Sequence, residues 1–148
     1  MVSLEVLRRY PFFAGIREAS LKAVAMIAEA RAVAAGTEVF HEGDPADTFG
    51  IITQGEVNIQ YTLGTGERRT VDTLGEGDIF TWSALVEPYK TTATATAIRP
   101  TRLVAMDAKR LRALCDEDPQ LGFRLMSEVA RLLAHRLEGT RVQLATVA

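Results

Sequence analysis

The chain has 148 residues, 47% hydrophobic and 24% charged, which is the profile of one ordinary globular domain and excludes a disordered or fibrous chain. Its 19 acidic and 17 basic side chains give a net charge of −2, which excludes a general binder of nucleic acid or anionic membrane. A single cysteine, Cys115, excludes an internal disulfide framework and a cysteine-based metal cluster, and the two histidines, His41 and His135, leave little for a zinc site.

In chain order, Leu4 and Leu7, then Leu21, Val24, Ile27 and Ala28, recur at spacings of three and four. Alanines from Ala23 to Ala35 add helix propensity, so residues 1–35 are expected to be helical. Pro11 interrupts the first helix, and Gly15 or Ser20 lies near the start of the second. From 37 to 106 the period changes to two, most clearly where Val57, Ile59 and Tyr61 share one face. Turn signals at Gly43-Asp44, Gly55, Gly64-Thr65-Gly66 and Gly75-Glu76-Gly77-Asp78 divide this zone into short strands, with a hairpin tip over Leu63 to Arg69. That pattern predicts an all-β sandwich or barrel. From 107 to 140 the helical period returns. Ala108 to Cys115 forms a short helix, and Asp118-Pro119 caps a longer one bearing Leu121, Leu125, Val129, Leu132, Leu133 and Leu137. Gly139 is the expected stop, with Arg141 to Leu144 able to continue after a break. No apolar run reaches the ~20 residues that span a bilayer, and residues 1–30 lack the layout of a signal peptide, so the expected location is cytoplasmic.

The order of these signals resembles the cyclic-nucleotide-binding domain of the catabolite-activator type of bacterial regulators. The resemblance is carried by Pro11-Phe12-Phe13-Ala14-Gly15, by Ala35 to Phe40 with Glu42-Gly43-Asp44, and by Ile51 to Val57. Leu74 to Phe80 is similar to the approach to the family's phosphate-binding cassette, and Arg124 to Arg131 to its long final helix. Together these cover residues from about 4 to 140. The resemblance implies a mainly β fold with flanking α: a jelly-roll β-barrel of the cupin-like double-stranded β-helix kind, with helices at both ends.

It also implies a site. In the family a short helix follows a Phe-Gly-Glu-Leu turn and turns backbone N–H groups toward the cyclic phosphate, as helix N-termini favour anions. The family's glutamate holds the ribose 2′-hydroxyl, and an arginine further on pairs with the phosphate. Here the cassette reads Phe80-Thr81-Trp82-Ser83-Ala84-Leu85, with Thr81 at the glycine position and Trp82 at the glutamate position. Downstream, Thr91-Thr92-Ala93-Thr94 places Thr91 where the arginine belongs, and Lys90 next to it points to the opposite face of a strand. On the final helix, where the catabolite activator touches the base with two hydroxyl residues, this chain has Arg136 and Leu137. Each charge-assisted hydrogen bond contributes roughly 1.5–3 kcal/mol. Losing both anchors therefore weakens a family-like pose by about two to four orders of magnitude.

Several residues have plainer readings. Trp82 is either core, or the lid of a shallow groove, or a surface for ligand stacking. Thr81 and Ser83 are helix caps or donors to an anion, and Lys90 is a loop lysine able to swing inward. His41, Glu42 and Asp44 are turn residues, Cys115 a small buried hydrophobe, and Arg99, Arg102, Lys109, Arg110 and Arg112 a solvated face. No nucleophile–base arrangement argues for catalysis, and no cofactor or metal is implied.

The expected function is a stand-alone regulatory or sensor domain in bacterial signal transduction, responding to a small anionic or cyclic-nucleotide effector but not a tight binder of cyclic AMP or cyclic GMP. The alternatives are a ligand-free interaction or dimerisation module, and the effector domain of a transcription regulator that acts through a partner. No helix-turn-helix follows the final helix, so direct DNA binding is not expected. A homodimer through Leu125, Val129, Leu132 and Leu133 is expected.

Overall fold

Three short helices open the chain: α1 (Leu4–Arg8), α2 (Pro11–Ala14) and α3 (Glu18–Ile27). The computed structural model describes residues 1–147. Pro11 occupies the first position of α2, where its missing N–H costs nothing. Ser20 lies inside α3, which starts at Glu18 after Arg17, and not at its cap.

The expectation of helix to residue 35 fails at Ala28, where the backbone turns extended and β1 (Ala28–Val33) begins. β1 pairs antiparallel with β8 (Thr101–Asp107) from Ala28↔Met106 to Val33↔Thr101. Alanine's helix preference is a few tenths of a kcal/mol per residue over ordinary residues, less than a full ladder of backbone hydrogen bonds supplies.

Between these lie β2 (Glu38–Phe40), β3 (Thr48–Gln54), β4 (Val57–Thr62), β5 (Arg68–Leu74), β6 (Ile79–Phe80) and β7 (Thr94–Ala97), with a 3-10 helix at Trp82–Leu85. The strands form two four-stranded antiparallel sheets, ordered β1-β8-β3-β6 and β2-β7-β4-β5, the two faces of a jelly roll. Gly55 makes the β3–β4 turn at φ 104, a backbone setting that favours glycine. Gly50 pairs with both Phe80 and Ala105, and a Cβ there would lie 2.5 Å from the Phe80 ring.

Ile52, Val57, Leu74, Phe80, Ala95 and Leu103 fill the barrel. A larger core joins the helices to the outer face of the β1-β8-β3-β6 sheet, with Leu7, Phe13, Leu21, Phe49, Met106 and Leu111 fully buried. Phe12 and Phe13 meet edge-on with centroids 5.1 Å apart.

The chain then forms α4 (Ala108–Glu117) and α5 (Pro119–Thr146). Asp107 caps α4 by accepting from the Arg110 N–H, and Asp118 caps α5 by accepting from the Leu121 N–H at 3.2 Å. Ser20 also donates to Asp118, tying α3 to the start of α5. α5 does not stop at Gly139 but runs unbroken to Thr146. One interior glycine costs about 1 kcal/mol, which good helix formers on either side offset. Among the described residues, no helix is long and apolar enough to cross a membrane.

Candidate ligand site between the barrel and helix α5

After β6 the chain makes a sharp turn at Thr81, whose φ of 60 and ψ of 50 lie in the left-handed region. A β-branched residue is an outlier there, at a cost of order 1–2 kcal/mol. The turn starts the 3-10 helix, closed by the Ala84 N–H donating to Thr81 O at 3.1 Å. Ala84 and Leu85 point into the core. Arg112 of α4 holds this segment from outside, donating to Ala84 O at 2.7 Å and lying 4.1 Å over the Tyr89 ring.

Above this turn lies a cavity of about 500 Å³, within the range of small-molecule sites. Thr81, Trp82 and Ser83 form its cassette side, with Thr92 and Ala93 beside them. Phe40, Ile59, Tyr61, Val71, Asp72 and Leu74 come from the sheet, and Leu133, Arg136 and Leu137 from α5. Trp82 lines the space without closing it.

The sequence-predicted residues divide cleanly. Thr81, Trp82, Ser83, Thr92, Ala93, Arg136 and Leu137 share the cavity, whereas Ala84 and Leu85 belong to the core. Thr91 faces elsewhere. Its hydroxyl donates to His41 O at 2.5 Å and accepts from the Asp44 N–H at 3.1 Å, and it lines a second, adjoining cavity of about 290 Å³. Of the residues around the expected arginine position, Thr92 and Ala93 reach the larger cavity, and Thr92 is the one next to Thr91. Lys90 is exposed, bridges to Pro45 through the backbone and lines neither cavity.

Asp72 is the charged lining residue that sequence reading missed, along with Phe40, Ile59, Tyr61, Val71 and Leu74 from the sheet. β4 and β5 pair Val57 with Leu74 and Ile59 with Asp72, so Asp72 shares the face of Ile59 and Leu74. Alternation along Asp72-Thr73-Leu74 carries that signal once β5 is paired. Asp72 Oδ2 lies 3.7 Å from Arg136 Nε, and Arg136 Nη2 donates to Ile79 O at 3.2 Å. Burial holds the Arg136 pKa below its usual value, opposed by the nearby carboxylates of Asp72 and Asp78. The guanidinium stays charged, as arginine does in proteins.

The expected dimer residues need a correction. Leu125 and Val129 are 0% and 1% exposed within a single chain, so neither is free to meet a second copy. Leu132 and Leu133 pack partly against the same core, and Leu133 also lines the cavity. α5 instead exposes Phe123, Met126, Leu137 and Leu144, at spacings that keep to one stripe.

The sequence matches the model of the cyclic nucleotide-binding domain over residues 30–118. The chain belongs to the cyclic nucleotide-binding domain family. It is 30% identical over 141 residues to a CRP-like cAMP-activated global transcriptional regulator of Mycobacterium tuberculosis, covering 95% of this chain and 61% of that regulator. The chain thus spans less than two thirds of that relative. Its fold superposes on a putative cyclic nucleotide-binding protein from Geobacter metallireducens with a TM-score of 0.85 and 35% identity, covering 93% of this chain and 99% of that one. It also resembles the Thermus thermophilus catabolite activator protein, with a TM-score of 0.73 and 26% identity, over 91% of this chain and 62% of that one. These likenesses agree with the jelly-roll barrel, N-terminal helices and long final helix of this cyclic nucleotide-binding domain.

Proposed function

We propose that this cyclic nucleotide-binding domain is a regulatory sensor of bacterial signal transduction and not an enzyme. A small ligand in the 500 Å³ cavity biases α5, and two copies associate through that helix. The observation that carries this reading is that one cavity joins Thr81, Trp82 and Ser83 of the cassette to Arg136 and Leu137 of α5. A ligand touching both can favour one helix position over another, which is the requirement for a switch.

The same cavity is poorly equipped for a cyclic phosphate. Its cassette side offers hydroxyls and an indole, with no arginine beside Thr92 and no acid at Trp82. Calorimetric titration with cyclic AMP and cyclic GMP tests this reading in the native chain and in a Trp82→Glu, Thr92→Arg double variant. Restored anchors are expected to tighten binding by about a hundredfold. Equal affinity in the two proteins overturns the reading.

The exposed stripe of Phe123, Met126, Leu137 and Leu144 favours a homodimer through α5, with or without ligand. Light scattering that finds only a 16.2 kDa species at high concentration removes that part of the proposal.

A further inference from the structure

The charged pair lining the cavity sits at its α5 end and away from the cassette, where a cyclic phosphate would lie. Among the described residues the cassette end carries no cation, while Asp72 and Arg136 at the α5 end place a carboxylate beside a guanidinium. Asp72 and Arg136 offset one another, and the rest of the lining is apolar, hydroxyl, amide or imidazole. An anion entering this space sheds its water without gaining a free counter-charge. An uncharged ring with adjacent donors and acceptors loses nothing of that kind.

We propose that the cavity takes an uncharged purine nucleoside of the guanine type, read at its base edge by Asp72 and Arg136, in preference to a cyclic nucleotide. Guanine presents O6 as an acceptor, and its N1–H and N2–H₂ as donors, along one edge. Asp72 is acceptor-only and able to receive both donors side by side, while Arg136 is donor-only and faces O6. Adenine supplies a single amino group to the carboxylate along the same edge, so it fits less well. Leu133 and Trp82 provide apolar surface for the ring. This inference rests on the reading of the cavity as the ligand site.

Trp82 is the sole tryptophan and lines the cavity, so its fluorescence reports occupancy directly. Guanosine, adenosine and 3′,5′-cyclic GMP are titrated into the full chain and into Asp72→Asn and Thr92→Arg variants. The side chain of Asp72 is 44% exposed, and circular dichroism verifies that its variant stays folded. Guanosine is expected to bind at least about tenfold tighter than cyclic GMP, and Asp72→Asn to lower guanosine affinity about tenfold while changing adenosine less. Thr92→Arg is expected to raise cyclic GMP affinity at least about tenfold. Cyclic GMP binding as tightly as guanosine, or equal losses of guanosine and adenosine in Asp72→Asn, overturns the inference and leaves the cavity as a ligand site. Silence from every ligand in both the native chain and Thr92→Arg overturns the cavity reading as well.

Discussion

Arg112 donates a hydrogen bond of 2.7 Å to the carbonyl of Ala84, joining α4 to the cassette across 28 residues of sequence. The same guanidinium covers the Tyr89 ring, so one side chain holds both the cassette helix and the loop that follows it. Arg112→Ala is expected to cost about 2 kcal/mol, from a charged hydrogen bond of roughly 1.5–3 kcal/mol and a partly exposed cation–π contact. Arg112→Lys recovers less than half, because lysine lacks the planar fork. Urea unfolding measures both, and an unchanged midpoint in Arg112→Ala contradicts the assignment.

Thr81 makes the opposite prediction. Relief of a β-branched residue at φ 60 returns roughly 1–2 kcal/mol, against the ~0.5–1 kcal/mol that glycine loses in the unfolded chain. Thr81→Gly is therefore expected to raise stability by up to about 1 kcal/mol, seen as a higher thermal midpoint. A fall in the midpoint means that the buried hydroxyl matters more than the strain.

Two classes of α5 substitution separate association from folding. Leu144→Glu, at a residue 69% exposed, is expected to leave the thermal midpoint of the monomer nearly unchanged and to halve the mass seen by light scattering. Leu125→Ala, at a residue 0% exposed, is expected to cost about 2–5 kcal/mol of folding stability without acting directly on the interface. Dissociation by Leu125→Ala in a still-folded chain, or a dimer that tolerates Leu144→Glu, contradicts this division.

Acid stability follows from Asp118. The Ser20 hydrogen bond, then the Leu121 N–H and Arg17, hold its carboxyl below the usual value of 3.8. A depressed folded pKa contributes stability above the unfolded value, and that contribution disappears as pH falls through the folded value. Asp118→Asn keeps a capping side chain but loses the charge. Urea midpoints from neutral to about pH 2 are expected to fall less steeply in the variant than in the native chain. Parallel curves contradict the assignment.

Much of this fold is legible in the sequence because its signals are local. The Val57-Asn58-Ile59-Gln60 alternation, the Leu63 to Arg69 hairpin tip and the Asp118-Pro119 cap each rest on neighbouring residues. β1 is illegible for the complementary reason: its partner β8 lies about seventy positions away, and its alanines favour the wrong local state. The same contrast divides the site. Thr81, Trp82 and Ser83 follow from a contiguous motif, whereas the Asp72–Arg136 pair depends on how α5 crosses β5. The orientation of Thr91 depends on a loop at residues 41–44 that supplies both a donor and an acceptor for its hydroxyl.

Leu137 is 51% exposed on the outer stripe of α5, yet it also lines the cavity. In a dimer joined along that stripe, one turn of helix senses both an occupied cavity and an attached neighbour. If the proposed dimer forms there, filling one cavity would alter the grip between protomers, and dilution would in turn alter the grip on the ligand. Apparent affinity in such a dimer would depend on how much of this protein the cell holds.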